Sequence, residues 1–247
     1  MTLAIPPALI QLEQPSGASI ATEWGNAIKT GDWAKVYLIG SRFLDRPRPS
    51  KDENAQWDRM IGFTWFAAYH EAVQGRIQRD SLVCVQEAVK LIPDQHEVWY
   101  ELGVQLSRRE KYQEALEPLN EYIKRVPRSF DGRFEKAYAL IESGQLALGL
   151  KELQALDTEY PNSPRILREI AFIHNERGAN SEALAVLIKA KNAEPKDPLT
   201  HAELAYTLRR LKRWNEALGE LDLAASLGFD REKIAQERTI IEKQKTP

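Results

Sequence analysis

The sequence predicts an all-α protein, an α-solenoid of about six similar helix pairs followed by a C-terminal capping helix. Three observations support this prediction: prolines recur every 34 residues, other residue series keep the same step, and apolar residues within each step are spaced as on one face of a helix. Since one short unit cannot bury its own apolar face, each unit has to be covered by its neighbours.

The 34-residue step connects both prolines and small or apolar residues. Pro93, Pro127, Pro161 and Pro195 are each 34 residues apart. Three more series keep the same step: Leu119, Leu153, Leu187 and Leu221; Ala115, Gly149, Ala183 and Ala217; and Gly103, Ala137, Ala171 and Ala205. Several series in phase at one period indicate an internally repeated chain, which is the signature of a solenoid.

Each unit is predicted to be a pair of helices. In residues 96–129 the first helix runs from about His96 to Arg108, and a turn follows near residues 109–111. Its apolar stripe is Trp99, Leu102, Gly103 and Leu106, and the second helix carries Tyr112, Ala115, Leu116, Leu119 and Tyr122. Pro127 ends the second helix, because proline lacks an amide donor and clashes with the preceding turn.

The stripe makes two predictions about packing. Small residues at Gly103 and Ala115 are expected to let the two helices of a unit approach closely. Trp99 is expected inside the unit, so that Trp99→Ala would cost about 3–5 kcal/mol of stability if the ring is buried.

The residues of this unit resemble the tetratricopeptide repeat. "WYELGVQL…YQEALEPL…P" follows the family pattern Trp-x-x-Leu-Gly-x-x-Tyr, then Ala-x-x-x-Phe, then Ala and Pro. Residues 96–129, 164–197 and 198–231 match well, whereas Arg133 and Lys136 stand where the pattern expects apolar residues. The resemblance covers most of residues 17–245, and it implies a right-handed superhelix whose first helices line a concave, ligand-binding face.

The predicted organisation follows the strength of that match. Residues 1–16 are expected to be a flexible tail, residues 17–93 degenerate N-terminal helical pairs, and residues 94–231 four tandem repeats. Residues 232–247 are expected to be a capping helix and tail. Within the degenerate part we expect a Gly31-Asp32-Trp33 turn, a linker over 46–52, and a long helix starting near Asp52.

Charge and hydropathy exclude several classes of partner. The 247 residues hold 34 basic and 36 acidic side chains, a net charge of −2, so nucleic acid is not an expected partner. The basic runs "SRREK" and "LRRLKR" fall where first helices end, where cations complement the helix dipole. No run approaches the roughly 20 apolar residues of a membrane span.

The N-terminus and the cysteine content bear on localisation. The first residues lack the basic start of a secretory signal, and one cysteine allows no intrachain disulfide. We therefore expect a cytoplasmic protein, or a periplasmic or exported one if a native signal has been trimmed from the sequence.

Catalytic and metal-binding patterns are not found. "HEAVQ" and "HEVWY" lack the second histidine of a zinc helix, and His174 and His201 lie on apolar stripes as structural residues. Cys84 is expected to be a buried, inert thiol. Since repeats take up the chain, we expect no enzyme, no cofactor and no metal.

The predicted binding site lies opposite the apolar stripe. A step of 100° per residue places Glu101 and Val104 on that far side, and the 34-residue step extends each into a column. The glutamate column is Glu101, Glu135, Glu169 and Glu203, and the apolar column is Val104, Tyr138, Phe172 and Tyr206. With three neighbours from the groove that the resemblance implies, the predicted partner-binding residues are Tyr100, Glu101, Val104, Phe134, Glu135, Tyr138, Arg165, Glu169, Phe172, Glu203 and Tyr206.

These columns predict an interaction scaffold whose groove binds a protein segment with apolar anchors and some positive charge. The glutamates equally suit a solvated helix face, and Arg165 is placed four residues before Glu169 to pair with it. The carboxylate clamp of some relatives needs lysine, asparagine and arginine on this face. The corresponding places here hold one basic residue among five, so no acidic C-terminal peptide is expected; they are Tyr100, Val104, Glu135, Arg165 and Glu169. Self-assembly into homo-oligomers and a role as accessory subunit of a larger enzyme or secretion complex are the alternatives.

Overall fold

The computed structural model describes residues 17–44 and 54–245, and these residues form α-helices joined by short turns with no strand among them. The predicted tail over 1–16 and the predicted linker over 46–52 lie outside the described residues. The thirteen described α-helices are α1 (Gly17–Thr30), α2 (Trp33–Gly40), α3 (Asn54–Val73), α4 (Ser81–Leu91), α5 (His96–Ser107), α6 (Tyr112–Arg125), α7 (Phe130–Glu142), α8 (Leu146–Glu159), α9 (Pro164–Glu176), α10 (Asn180–Ala193), α11 (Pro198–Arg210), α12 (Trp214–Ser226) and α13 (Arg231–Lys245).

The helices pair in chain order, and the predicted α-solenoid is confirmed. Helices α3 and α4, α5 and α6, α9 and α10, and α11 and α12 pack closely as pairs, and α13 packs on α12 at the C-terminal end. First helices begin at His96, Phe130, Pro164 and Pro198, and second helices at Tyr112, Leu146, Asn180 and Trp214, so both sets keep the 34-residue step.

The turn inside each repeat keeps the same step. Glu110, Gly144, Gly178 and Lys212 all have a positive φ, between 59° and 84°, which allows the chain to leave the first helix and enter the second. Glycine reaches this conformation without steric cost, whereas a side chain at Glu110 or Lys212 is strained there.

The chain divides into two compact units, one ending at Gly132 and one beginning at Arg133. In the N-terminal unit, aromatic rings replace the repeat motif in the core. Trp24 meets Phe63 edge to face at 6.1 Å between ring centroids, and Phe43 meets Trp57 in the same way at 5.9 Å. The predicted turn is present, with Gly31 at a φ of 70° and Asp32 as N-cap of α2.

The small-residue series predicted to lie in the core does lie there. Ala115, Ala183 and Ala217 are fully buried, as is the leucine series from Leu119 onward. A Cβ atom added at Gly103 would stand 2.5 Å from Cγ of Leu119, so only glycine allows α5 and α6 this approach. The close packing inferred from the sequence is confirmed.

Trp99 is less buried than predicted. Its ring is half-buried, its Nε1 donates to the Pro93 carbonyl at 2.8 Å, and the guanidinium of Arg125 lies 5.5 Å from its centroid. The adjacent Val98 is fully buried instead. Val98 belongs to a second buried face of the helix. First helices have this face because each also packs against the second helix of the preceding pair, as α5 does on α4 and α11 on α10.

Arg133 and Lys136, which stand where the repeat pattern expects apolar residues, form ion pairs with glutamates of α8. Arg133 Nη1 lies 2.6 Å from Glu159, and Lys136 Nζ lies 2.7 Å from Glu152, both on α8. Ala137, in phase with Gly103, remains fully buried, so α7 keeps the orientation of the other first helices.

Candidate functional site

The first helices carry both predicted columns on a face that is only partly covered. All four members of the glutamate column are half-buried, and so are Val104, Tyr138 and Tyr206, while 40% of Phe172 is exposed. In the C-terminal unit α9 packs on α11 and α11 on α13, so the columns there run across adjacent helices.

Arg165 contacts a different glutamate from the one its position suggests. Its Nη2 donates to Glu135 Oε1 at 2.9 Å, whereas it acts on Glu169 only through its charge, which opposes the rise in the pKa of that carboxyl. The guanidinium also lies 3.8 Å from the centroid of the buried Phe134 ring. Arg165 therefore covers Phe134 and neutralises Glu135, a cation–π and ionic arrangement that spans α7 and α9.

Glu169 is the least satisfied carboxylate on this face. It makes no hydrogen bond or ion pair within the described part of the chain. Burial raises the pKa of its carboxyl to about 7, against the opposing charge of Arg168, and Glu142 adds to the rise. Desolvation disfavours the ionised form when no donor compensates it.

Glu203 lies in a similar environment on the next first helix. Burial raises the pKa of its carboxyl to about 8, and the charges of Glu169 and Asp197 raise it further. Arg168 opposes this rise, but its Nε is 3.8 Å from Glu203, and its Nη1 is hydrogen-bonded to Asp197. The C-terminal unit thus holds two neighbouring carboxyl groups that lack strong cationic partners.

In the N-terminal unit the corresponding glutamate is tied into a polar network. Glu101 accepts a hydrogen bond from the Tyr69 hydroxyl, and burial raises the pKa of Glu101. Gln105 Oε1 accepts from Ser81 at 2.9 Å and from Arg109 at 2.8 Å. This network links α3, α4 and α5, so Glu101 has a structural partner that Glu169 and Glu203 lack.

Tyr100 is the remaining predicted residue of the N-terminal unit. Its ring lies 5.1 Å from that of Tyr122, a tilted contact between α5 and α6. Tyr100 and Val104 are both half-buried. In this unit the predicted residues thus offer less open apolar surface than Phe172 does in the other.

A cavity of about 400 Å³ adjoins the columns in the C-terminal unit. Phe172, Leu199, Phe229 and Ile234 give it apolar walls, and Glu203 and Asn175 reach it from α11 and α9. Phe172 and Glu203, two of the predicted partner-binding residues, line this cavity, whereas the cavity itself was not predicted from the sequence. Its one visible signal was "LGF" near residue 229, where the repeat pattern expects proline.

The cysteine and the buried histidine of the chain are held in packing and hydrogen-bonding roles. Cys84 is buried and burial raises the pKa of its thiol, as expected of an inert cysteine. His201 is buried between Glu220, 2.6 Å away, and the Pro195 carbonyl at 3.0 Å. Among the described residues, no three His, Cys, Asp or Glu side chains are grouped so as to hold a metal ion.

None of the described helices combines the length and hydropathy needed to cross a membrane.

Comparisons with known proteins agree with the fold. MamA, residue 41 to the end, from Desulfovibrio magneticus RS-1 is 17% identical and matches 67% of this chain and 94% of its own at a TM-score of 0.58. YrrB, described as a TPR protein with an unusual peptide-binding site, is 15% identical over 87% of this chain and 97% of its own at 0.53. The APC/C hetero-tetramer Cut9–Hcn1 is 14% identical and matches 91% of this chain and 42% of its own, at a TM-score of 0.60.

Sequence comparisons give a shorter match. The auxiliary subunit NAA25 of the N-terminal acetyltransferase B complex of Arabidopsis thaliana is 36% identical over 94 residues, which are 38% of this chain and 9% of that protein. No protein-family model matches the chain. The solved structures establish that the chain has the tetratricopeptide-repeat fold, as its residues predicted.

Proposed function

We propose that this chain, whose fold is that of tetratricopeptide-repeat proteins, is a non-enzymatic interaction scaffold. Its first helices bind a segment of a partner protein that has apolar anchors and positive charge. The described residues supply suitable features for such binding, namely partly exposed rings beside carboxylates on adjacent helices.

The observation that carries the proposal is the combination found in the C-terminal unit. Phe172 is 40% exposed next to a cavity with apolar walls, and Glu169 and Glu203 lack strong cationic partners on the same face. A solvated helix face has no need of an open ring beside a cavity, whereas a partner segment would cover both.

Site-specific photo-crosslinking tests the location of binding. A benzophenone amino acid at Phe172 is expected to crosslink the partner in the native cell, because that position lies on the proposed surface. The same amino acid at Leu148, which is 52% exposed on the second helix α8, is the matched control and should give no such product. Equal crosslinking from both positions, or crosslinking from Leu148 alone, would place binding elsewhere.

A second candidate is an accessory subunit of a larger enzyme. It is favoured by the 94-residue similarity to an acetyltransferase auxiliary subunit. This role is compatible with the scaffold, since an auxiliary subunit also works by binding another chain. It predicts that the protein copurifies with one enzyme in fixed stoichiometry and changes that enzyme's rate, which an activity assay with and without the chain measures.

A further inference from the structure

One residue in the wall of the C-terminal unit's cavity, Asn175, has a side-chain acceptor that is unpaired. Asn175 is only 4% exposed, and its Nδ2 donates to the Thr207 hydroxyl at 2.8 Å. Its Oδ1 is buried and has no hydrogen-bond partner in the described part of the chain. A buried acceptor without a partner is uncommon in folded proteins and calls for a donor.

The Glu203 carboxylate is a second acceptor that lines the same cavity. Arg168 donates to Asp197 and reaches Glu203 only through a long ion pair, 3.8 Å from its Nε, while Arg209 is engaged by Glu237. Lys233 also lines the cavity, from the exposed side of α13. The cavity therefore combines apolar walls with two acceptors that receive no hydrogen bond from the described residues.

This combination fits the chemistry of a lysine side chain. Lysine has a flexible aliphatic stem that packs on apolar surface and a compact ammonium group with three donors and no acceptor. A leucine or methionine would fill the apolar part but leave Glu203 and Asn175 Oδ1 without donors. Arginine carries a planar fork that suits one carboxylate, whereas here the acceptors come from two side chains on different helices.

We propose that this cavity receives a lysine side chain of the partner segment. Its methylene stem lies against Phe172, Leu199 and Phe229, and its ammonium group donates to Glu203 and to Asn175 Oδ1. This inference rests on the proposed function, since it names the residue that the scaffold recognises at one end of its binding surface.

Binding of lysine is coupled to ionisation of Glu203. The charges that act on this carboxyl are those of Arg168 and Glu169 on α9 and of Asp197 before α11. Lys233 and Glu237 on α13 line the same cavity. Because the pKa of Glu203 is about 8, the group is largely protonated at neutral pH and must lose its proton to accept an ammonium ion. Affinity for lysine therefore rises as the pH increases from 6 to 8.

A single-residue probe tests the cavity directly. Nα-acetyl-lysine N-methylamide is titrated into the full chain at pH 8 and low salt, and amide chemical shifts are followed by NMR. Shifts should concentrate at the cavity residues, and the norleucine analogue should bind about tenfold more weakly because it lacks the charge-assisted hydrogen bonds. The arginine analogue is the third probe and is expected to bind more weakly than lysine.

Three variants refine the test. Glu203→Gln should weaken lysine binding about tenfold and leave norleucine binding unchanged. Lys233→Gln should strengthen lysine binding, since it removes a cation from the rim. Glu182→Gln, on the exposed outer face of α10, is the matched control and should change neither affinity.

Several outcomes overturn the proposal. These are equal affinities for lysine and norleucine, preferred binding of arginine, no effect of Glu203→Gln, or no binding of any probe up to its solubility. Each leaves the crosslinking result at Phe172 untouched, so failure of the lysine cavity is distinguishable from failure of the scaffold function. If lysine binds in the cavity but the partner crosslinks at Leu148, the lysine cavity is supported and the proposed binding surface is contradicted.

Discussion

At the residue scale, the least expected property is the raised pKa of two carboxyl groups that were predicted only as a charged surface. The pKa values of Glu169 and Glu203 are raised to about 7 and about 8, chiefly by burial. The sequence placed both on one face, but it could not show how far neighbouring helices withdraw them from water. Folding thus keeps these groups partly neutral near physiological pH.

Replacing Glu203 by glutamine should stabilise the protein more at pH 8 than at pH 5. Between the ordinary value of 4.5 and the folded value of about 8, the folded state binds more protons than the unfolded state, so stability falls as pH rises. Glutamine removes this loss. Since 34% of the Glu203 side chain is exposed, solvent screens part of this effect, and the expected gain is about 1–2 kcal/mol at pH 8.

Urea unfolding of both proteins at the two pH values measures this difference. Glu182→Gln is the matched control, because the Glu182 side chain is exposed. Its effect on the free energy of unfolding should be the same at both pH values. A stability change for Glu203→Gln that is equal at pH 5 and pH 8 would contradict the pKa assigned to Glu203.

Replacing Trp99 by alanine should destabilise the protein less than replacing Leu119 by alanine, although tryptophan is the larger residue. Leu119 is fully buried, and Leu119→Ala is expected to cost about 2–5 kcal/mol. The half-buried Trp99 keeps its Nε1 bonded to the Pro93 carbonyl, so Trp99→Ala should cost only about 1–3 kcal/mol. Denaturant melts decide between this order and the larger loss that the sequence alone suggests for Trp99.

At the element scale, the repeat is defined by its turn as much as by its helices. The same position of four successive turns has a positive φ, yet only Gly144 and Gly178 are glycines, while Glu110 and Lys212 are not. A side chain in the left-handed region costs roughly 1 kcal/mol. The two non-glycine turns are therefore sites of stored strain.

Replacing the strained residues by glycine should stabilise the chain. Glu110→Gly and Lys212→Gly are each expected to raise the free energy of unfolding by about 0.5–1 kcal/mol, because relief of the strain exceeds the entropy that glycine adds to the unfolded state. Gly144→Ala is the converse control and should destabilise by about 1 kcal/mol. Thermal melts of the three variants test this, and a loss of stability in both glycine variants would show that φ is not the cause.

The sequence predicted the elements well because their determinants are local. The small residues at Gly103 and Ala137 and the turn at Gly31 each act within a single helical pair. It predicted contacts between pairs less well. The burial of Val98 and the bond from Arg165 to Glu135 were not predicted, because first helices also pack against other pairs, and helical spacing within one element says nothing about that register.

At the scale of the whole molecule, repetition determines which residues share a face. Repeats contact mainly their neighbours, so residues at one repeated position form a column without any long-range design. In the C-terminal unit this places Phe172, Tyr206 and the carboxylates on adjacent helices, beside a cavity that needs the non-repeating Phe229 and α13. The columns were predicted from the sequence, whereas the cavity was not, because it depends on where the repeat pattern ends.

Isothermal calorimetry with the segment recovered by crosslinking tests the central claim most directly. Reversing the C-terminal part of the glutamate column (Glu135→Lys, Glu169→Lys and Glu203→Lys together) should weaken binding at least about a hundredfold, because both the charge and its desolvated setting favour a cation. Reversing exposed Glu182 and Glu194, away from this face, should change affinity by less than about threefold. Equal affinities of the two reversed proteins would contradict the assignment of this surface as the binding site.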